Sequence, residues 1–306
     1  MALYTLDPER STLHGHFSRD LPPVLTIDPG DTVRYHTLDA DWWEDTPEPR
    51  KRFEPRSEEL DKGHAMNGPV YIRGAKPGMA LEVQIGEIIP SSWGWTWAGV
   101  FMGDVGKRIL GENEELHIAW RLDAETMTGT TPDGRQVALR PFMGVMGMPP
   151  DEPGIHSTQP PRYCGGNLDC KELVEGTTLY LPIPVEGGLF SVGDGHGAQG
   201  DGEISMTAIE CPIARLDLTF NLRDDMKLTT PRARTADSWI SFGFHEDLDE
   251  AVLIACADMV EIIVAQYGVS RAEALALASV VADVRVTQIV NRVKGAHVVL
   301  KDRAIR

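Results

Sequence analysis

Val24-Leu25-Thr26-Ile27-Asp28-Pro29-Gly30-Asp31-Thr32-Val33-Arg34-Tyr35-His36-Thr37-Leu38 holds the pattern from which the fold class is read. Its first four residues are β-branched or aliphatic and end at Asp28-Pro29-Gly30-Asp31. There proline fixes φ and glycine accepts the positive φ of a tight turn. From Thr32 to Leu38 the residues alternate in character, the period of a half-buried strand. The same pattern recurs at Ala80 to Ile89, Glu115 to Leu122, Thr177 to Ile183 and Glu203 to Ile209. It recurs again at Leu216 to Leu222, where Leu216, Leu218, Phe220 and Leu222 share one face. Short strands punctuated by Pro/Gly turns predict a β-rich core, sandwich- or barrel-like.

Beyond residue 245 the period changes. Leu248, Val252, Ala255, Met259, Ile262 and Ile263 recur at helical spacing behind a capping Asp247 or Asp249, and Gly268 fits the helix C-terminus. Ser270-Arg271-Ala272-Glu273 has capping-box spacing, which predicts a second helix to about Asp283. Val284 to Val290 and Ala296 to Leu300 then read as returning strands. The expected class is α+β: a β-rich core over residues 1–244, with a helical and strand region over 245–306 packed on it as one unit.

The 306 residues carry 29 Lys+Arg against 46 Asp+Glu, a net charge of −17. Such a chain repels a phosphate backbone, so nucleic acid is not an expected partner. No run of 18 apolar residues exists, so no membrane span is expected. The N-terminal residues lack the basic and apolar regions of a secretory signal, and the four cysteines form no CxxC pair. The expected compartment is the cytoplasm. Asp45 to Gly63 is charged and Pro-rich without an apolar period, and reads as a solvated excursion or a lid.

The densest polar constellation is Ser191 to Glu203, where five glycines surround Asp194, His196, Gln199, Asp201 and Glu203. Glycine at that density bends backbone tightly around something. Asp194 and His196, at i and i+2, share a face if extended, and a carboxylate with a neutral imidazole is half a ligand set for a divalent ion. A second cluster is Cys164-Gly165-Gly166-Asn167-Leu168-Asp169-Cys170, with Asn167 and Asp169 alternating behind paired glycines. His64 precedes a turn and a short strand, a place from which a side chain is aimed into a cleft. Trp93, Trp95 and Trp97 alternate on one face as a core or pocket wall, or as a stacking platform.

In order along the chain, Leu21 to Val33, Asn67 to Ala75, Arg140 to Gly147, Gly165 to Asp169 and Gly193 to Glu203 resemble the acetamidase/formamidase family of amide hydrolases. The helical tail through Asn291 is similar as well. This resemblance implies a hydrolase acting on short aliphatic amides with a divalent metal, zinc first, assembled as a homodimer or higher homo-oligomer; calcium is the other ion the polar Gly-rich loops could hold. It places Asp194, His196, His64 and Asp169 as metal ligands and Glu203 as general base. Asn167 and Gln199 are expected to donate to the developing oxyanion. His14 matches a histidine of the family's N-terminal segment, whereas Met79 and Cys164 depart from its pattern. Two alternatives stand beside this expectation: a hydrolase of lactams or other amide-like C–N bonds, and a metal-stabilised β-sandwich binding module.

Overall fold

The computed structural model describes residues 1–45, 50–100, 104–111 and 114–306. Among them lie three sheets. The nine-stranded sheet begins with Leu3–Leu6, Thr32–Thr37, Ile213–Arg223, Ala80–Pro90 and Thr178–Pro182 as neighbours. It continues through Arg232–Arg234, Ser238–His245 and Lys294–Lys301 to Ala282–Gln288 at the edge. The second sheet runs Pro161–Arg162, Gly165–Asn167, Phe142–Gly147, Phe190–His196, Met66–Ile72 and Leu13–His14, with Leu25–Ile27 also paired to Met66–Ile72. The third is a meander of Trp93–Gly99, Glu115–Asp123, Thr128–Thr130 and Gln136–Ala138. The fold is β-rich, and none of these sheets closes into a barrel.

The Asp28–Asp31 turn is a corner between layers. Leu25–Ile27 lies parallel to Met66–Ile72 in the second sheet, and Thr32–Thr37 lies between Leu3–Leu6 and Ile213–Arg223 in the large one. Gly30 takes φ +91°, and the Asp31 carboxylate accepts from the backbone N–H of Ala2 and Asp28. The alternation that marks Thr32–Thr37 and Ile213–Arg223 as strands turns Val33, Tyr35, Leu216, Leu218 and Phe220 inward, all fully buried. They pack in one apolar core with Val70, Ile72, Met146, Phe190 and Val192 of the second sheet. Phe190 meets Phe220 edge-to-face at 5.0 Å between ring centroids.

The C-terminal helices span Leu248–Tyr267 and Arg271–Val281. Asp247 caps the first by accepting from the N–H groups of Asp249 and Glu250, and Gly268 ends it at φ 66°. Ser270 caps the second. Ala255, Met259 and Ile263 seat the longer helix on Val298 and Leu300 of the sheet. The strands that follow are Ala282–Gln288 and Lys294–Lys301, paired antiparallel. No single helix among the described residues is long and apolar enough to cross a membrane. The two C-terminal helices pass that test only together, across a bend of 107°.

One expected strand is absent. Glu203 to Ile209 is a succession of turns, because Glu203 and Met206 adopt φ 44° and 71°, which no extended ladder accommodates. The Asp45–Gly63 excursion lies partly outside the described residues, at 46–49. Around that gap, Trp43 bridges Arg52, and the Phe53 N–H donates to the Trp42 carbonyl.

Candidate active site

Phe190–His196 lies between Phe142–Gly147 and Met66–Ile72, and its C-terminal end delivers Asp194 and His196. Their i, i+2 spacing brings them together: His196 Nε2 is 3.3 Å from Asp194 Oδ1. On the same nitrogen, at 3.2 Å, sits Oε2 of Glu210. Glu210 is positioned by its backbone, which exchanges two hydrogen bonds with Trp95, and its Oε1 accepts from the Ala208 N–H at 2.8 Å. Asp169 follows the short Gly165–Asn167 strand, and its Oδ2 accepts from Asn291 Nδ2 at 2.8 Å. Glu203 enters from the turns after His196. Asp169, His196 and Glu203 present ligating atoms within 4.8 Å of one another, and so do Asp194, His196 and Glu210. One imidazole thus joins two sets of buried carboxylates.

Two local features make room for this cluster. Gly144 faces it from the adjacent strand: a Cβ there would lie 2.3 Å from Asp194 Oδ2 and 2.9 Å from both Asp169 Oδ1 and His196 Cε1. Only glycine fits. In addition, Asp169, Asp194 and Glu203 sit at φ 48°, 62° and 44°. Non-glycine residues adopt such backbone uncommonly, and each instance costs on the order of 1–3 kcal/mol.

Burial dominates the electrostatics. It pushes the Asp169 carboxyl up to about 8, aided by the charges of Asp194 and Glu210. Burial also raises Glu203 well above the usual carboxylate range, with Asp169 adding to the effect, and raises Glu210. At Asp194 the same burial is outweighed by His196 and His64, so its carboxyl is held below the ordinary range. Desolvation works against the charged form of His196, yet Glu210 and Asp194 overcome it and raise this imidazole well above its usual value. Asp169 Oδ1, Glu203 Oε2, Asn167 Oδ1 and His64 Nδ1 are buried with no hydrogen-bond partner among the described residues. Buried polar atoms are normally satisfied, so their concentration in one place marks a binding site.

The cluster opens into a cavity of about 1010 Å³ lined by His64, Asn167, Asp194, His196, Glu203, Glu210 and Asn291. Trp93, Trp95 and Trp97 form its wall, and Arg50, Lys62 and Gly63 of the excursion reach it too. Behind the wall Asp39 is buried. Its carboxylate accepts from Trp95 Nε1 at 2.8 Å and from the Trp43 N–H at 2.7 Å, and burial pushes it up to about 7.

Of the residues singled out in the sequence, His64, Asn167, Asp169, Asp194, His196 and Glu203 come together here. Gln199 takes a different place from the oxyanion-facing one expected. Its Oε1 faces His196 Nδ1 at 2.9 Å and its Nε2 donates to the Asp169 carbonyl at 2.7 Å, so its amide holds two other groups in position. Asp201 pairs with Lys171 at 3.1 Å, and His14 bonds Ser191 at 2.9 Å, both away from the cavity. His16 and His36 pair with Asp61 and Asp7. Sequence reasoning misses the roles of Glu210, Asn291 and Gly144. The signal for Glu210 is a single carboxylate inside the apolar run Ala208-Ile209-Glu210-Cys211-Pro212-Ile213, where a buried charge demands a reason.

The sequence matches the Acetamidase/Formamidase family over residues 4–159 and 153–300. The chain belongs to the acetamidase/formamidase family. Within the family it is 26% identical over 263 residues to the formamidase of Methylophilus methylotrophus, covering 70% of this chain and 64% of that one. It is 25% identical over 251 residues to the acetamidase of Mycolicibacterium smegmatis, covering 63% and 61%. The match thus spans less than two thirds of these relatives' length. A solved acetamidase from Bacillus halodurans superposes with a TM-score of 0.85 at 28% identity, covering 97% of each chain.

Proposed function

We propose that this member of the acetamidase/formamidase family hydrolyses amides to carboxylate and ammonia, with water activated at the His196-centred cluster. The observation that carries this is the convergence of Asp169, Asp194, Glu203 and Glu210 on one buried imidazole at the floor of a cavity, with carboxylate oxygens left without partners. Such an all-oxygen-and-imidazole donor set fits a divalent ion, zinc first and calcium as the alternative. Asp194, His196 and Glu210 would hold it, with His64 and Asp169 beside them. An ion held there supplies Lewis acidity, polarising a carbonyl and making water a nucleophile at neutral pH.

The chain's own residues do the rest. Glu203 Oε2 is buried and without a partner; ionised when a cation beside it offsets that burial, it would accept the proton of the attacking water and return it to the departing amine. Asn167, also on the cavity wall, donates through its amide to the oxygen that gains charge as water adds. Gln199 keeps the His196 ring in one orientation, and Asn291 does the same for Asp169. The negative charge of the chain favours a neutral substrate, and the resemblance to the family implies a cytoplasmic homo-oligomer.

Metal analysis of the purified protein, alongside ammonia release from formamide, acetamide and propionamide, tests the proposal. Turnover lost to a chelator and restored by Zn²⁺ is the expected result, with Asp194→Asn losing metal and turnover together. Undiminished ammonia release after complete removal of metal would refute the role given to the cluster.

A further inference from the structure

The cavity is far larger than formamide or acetamide needs. At about 1010 Å³ it reaches the top of the range of pockets that enclose drug-sized ligands, about 300–1,000 Å³. Its wall is aromatic and fixed. Trp93, Trp95 and Trp97 stand at alternate positions of one strand and all line it. On the neighbouring strand His117 pairs with Trp97 and stacks on the Trp95 ring at 5.4 Å and 14°. Asp39 pins Trp95 through its indole N–H, and the Arg50 guanidinium carbon lies 4.0 Å over Trp93. This wall adjoins the reacting cluster directly, because the Trp95 backbone is bonded on both sides to Glu210.

Away from the reacting cluster, the lining carries two cations, Arg50 and Lys62, and two carboxylates, Asp41 and Glu115. Those four charges offset one another, which favours a neutral tail over a charged one. Flat indole and imidazole faces reward offset stacking with another ring, and a preformed wall gives that contact without ordering cost.

The geometry points to a neutral primary amide whose acyl part carries an aromatic ring, an arylacetamide, as the preferred substrate. The ring lies along the Trp95–Trp97–His117 wall while the amide reaches His196. This rests on the hydrolytic function proposed above and adds the acyl specificity.

Ammonia release from phenylacetamide and acetamide gives kcat/KM for each, and quenching of tryptophan fluorescence gives the binding of each independently of turnover. The expected result is a preference of about tenfold for phenylacetamide, reduced in both Trp97→Ala and His117→Ala. Equal kcat/KM for the two amides, or a preference undiminished in both variants, overturns the assignment. If neither amide releases ammonia, hydrolysis of these two amides is refuted and the titration decides specificity. Tighter binding of phenylacetamide upholds the aromatic acyl site, and equal or weaker binding overturns it.

Discussion

Glycine 144 shows how tightly the residues of the cluster are set. Its missing Cβ is space that Asp194, Asp169 and His196 already occupy. Gly144→Ala therefore forces carboxylates off their positions; we expect a loss of about 1–3 kcal/mol in stability, with turnover and bound metal falling together in urea melts and metal assays. Asp39 gives a residue-level pH prediction. Its carboxyl titrates near 7 when folded and near 3.8 in the unfolded chain, so the folded state holds the extra proton between those values. Its stabilising contribution is complete below 3.8 and is lost as pH rises through 7. Asp39→Asn does not titrate. From about pH 5 to about pH 7 the variant should gain on the parent by about 2 kcal/mol, measured as the difference between two pairs of urea titrations. An unchanged gap would show that Asp39 is ionised throughout.

At the scale of elements, Gly268 and Ser270 fix the corner between the C-terminal helices. Gly268→Ala places a Cβ in left-handed backbone and should cost about 1–2 kcal/mol, read as a lowered melting temperature with the fold retained. These caps were legible because capping chemistry is local: Asp247, Gly268 and Ser270 satisfy backbone groups a few residues away. The strands were legible for the same reason wherever one face is buried, as in Ile213–Arg223. What local pattern did not show is where chain neighbours diverge. Glu203 to Ile209 alternates like a strand, but left-handed backbone at Glu203 and Met206 turns it into the cavity floor. Glu210 and Asn291 reach the site only through long-range pairing, Glu210 to Trp95 and Gly202 to Gln288. No spacing in the sequence encodes that closeness.

For the whole molecule, the proposed cation among the four buried carboxylates around His196 would add stability. A divalent ion in hundredfold excess over its Kd contributes about 2.7 kcal/mol, which for a chain of this size raises the melting temperature by about 5 °C. Calorimetry with and without added Zn²⁺ measures it, and Asp194→Asn should abolish the rise. The C-terminal region takes part in this as more than scaffold, because Asn291 follows the edge strand Ala282–Gln288 and holds Asp169.

Three acidic residues of the cluster share left-handed backbone, and that sets robustness against usefulness. Replacing Asp169 or Glu203 by glycine relieves torsional cost and mutual repulsion at one stroke. A library of this protein screened for heat resistance alone would accumulate those glycines and return hardened, inert chains. Any campaign to toughen the molecule must keep selecting for its chemistry at every round.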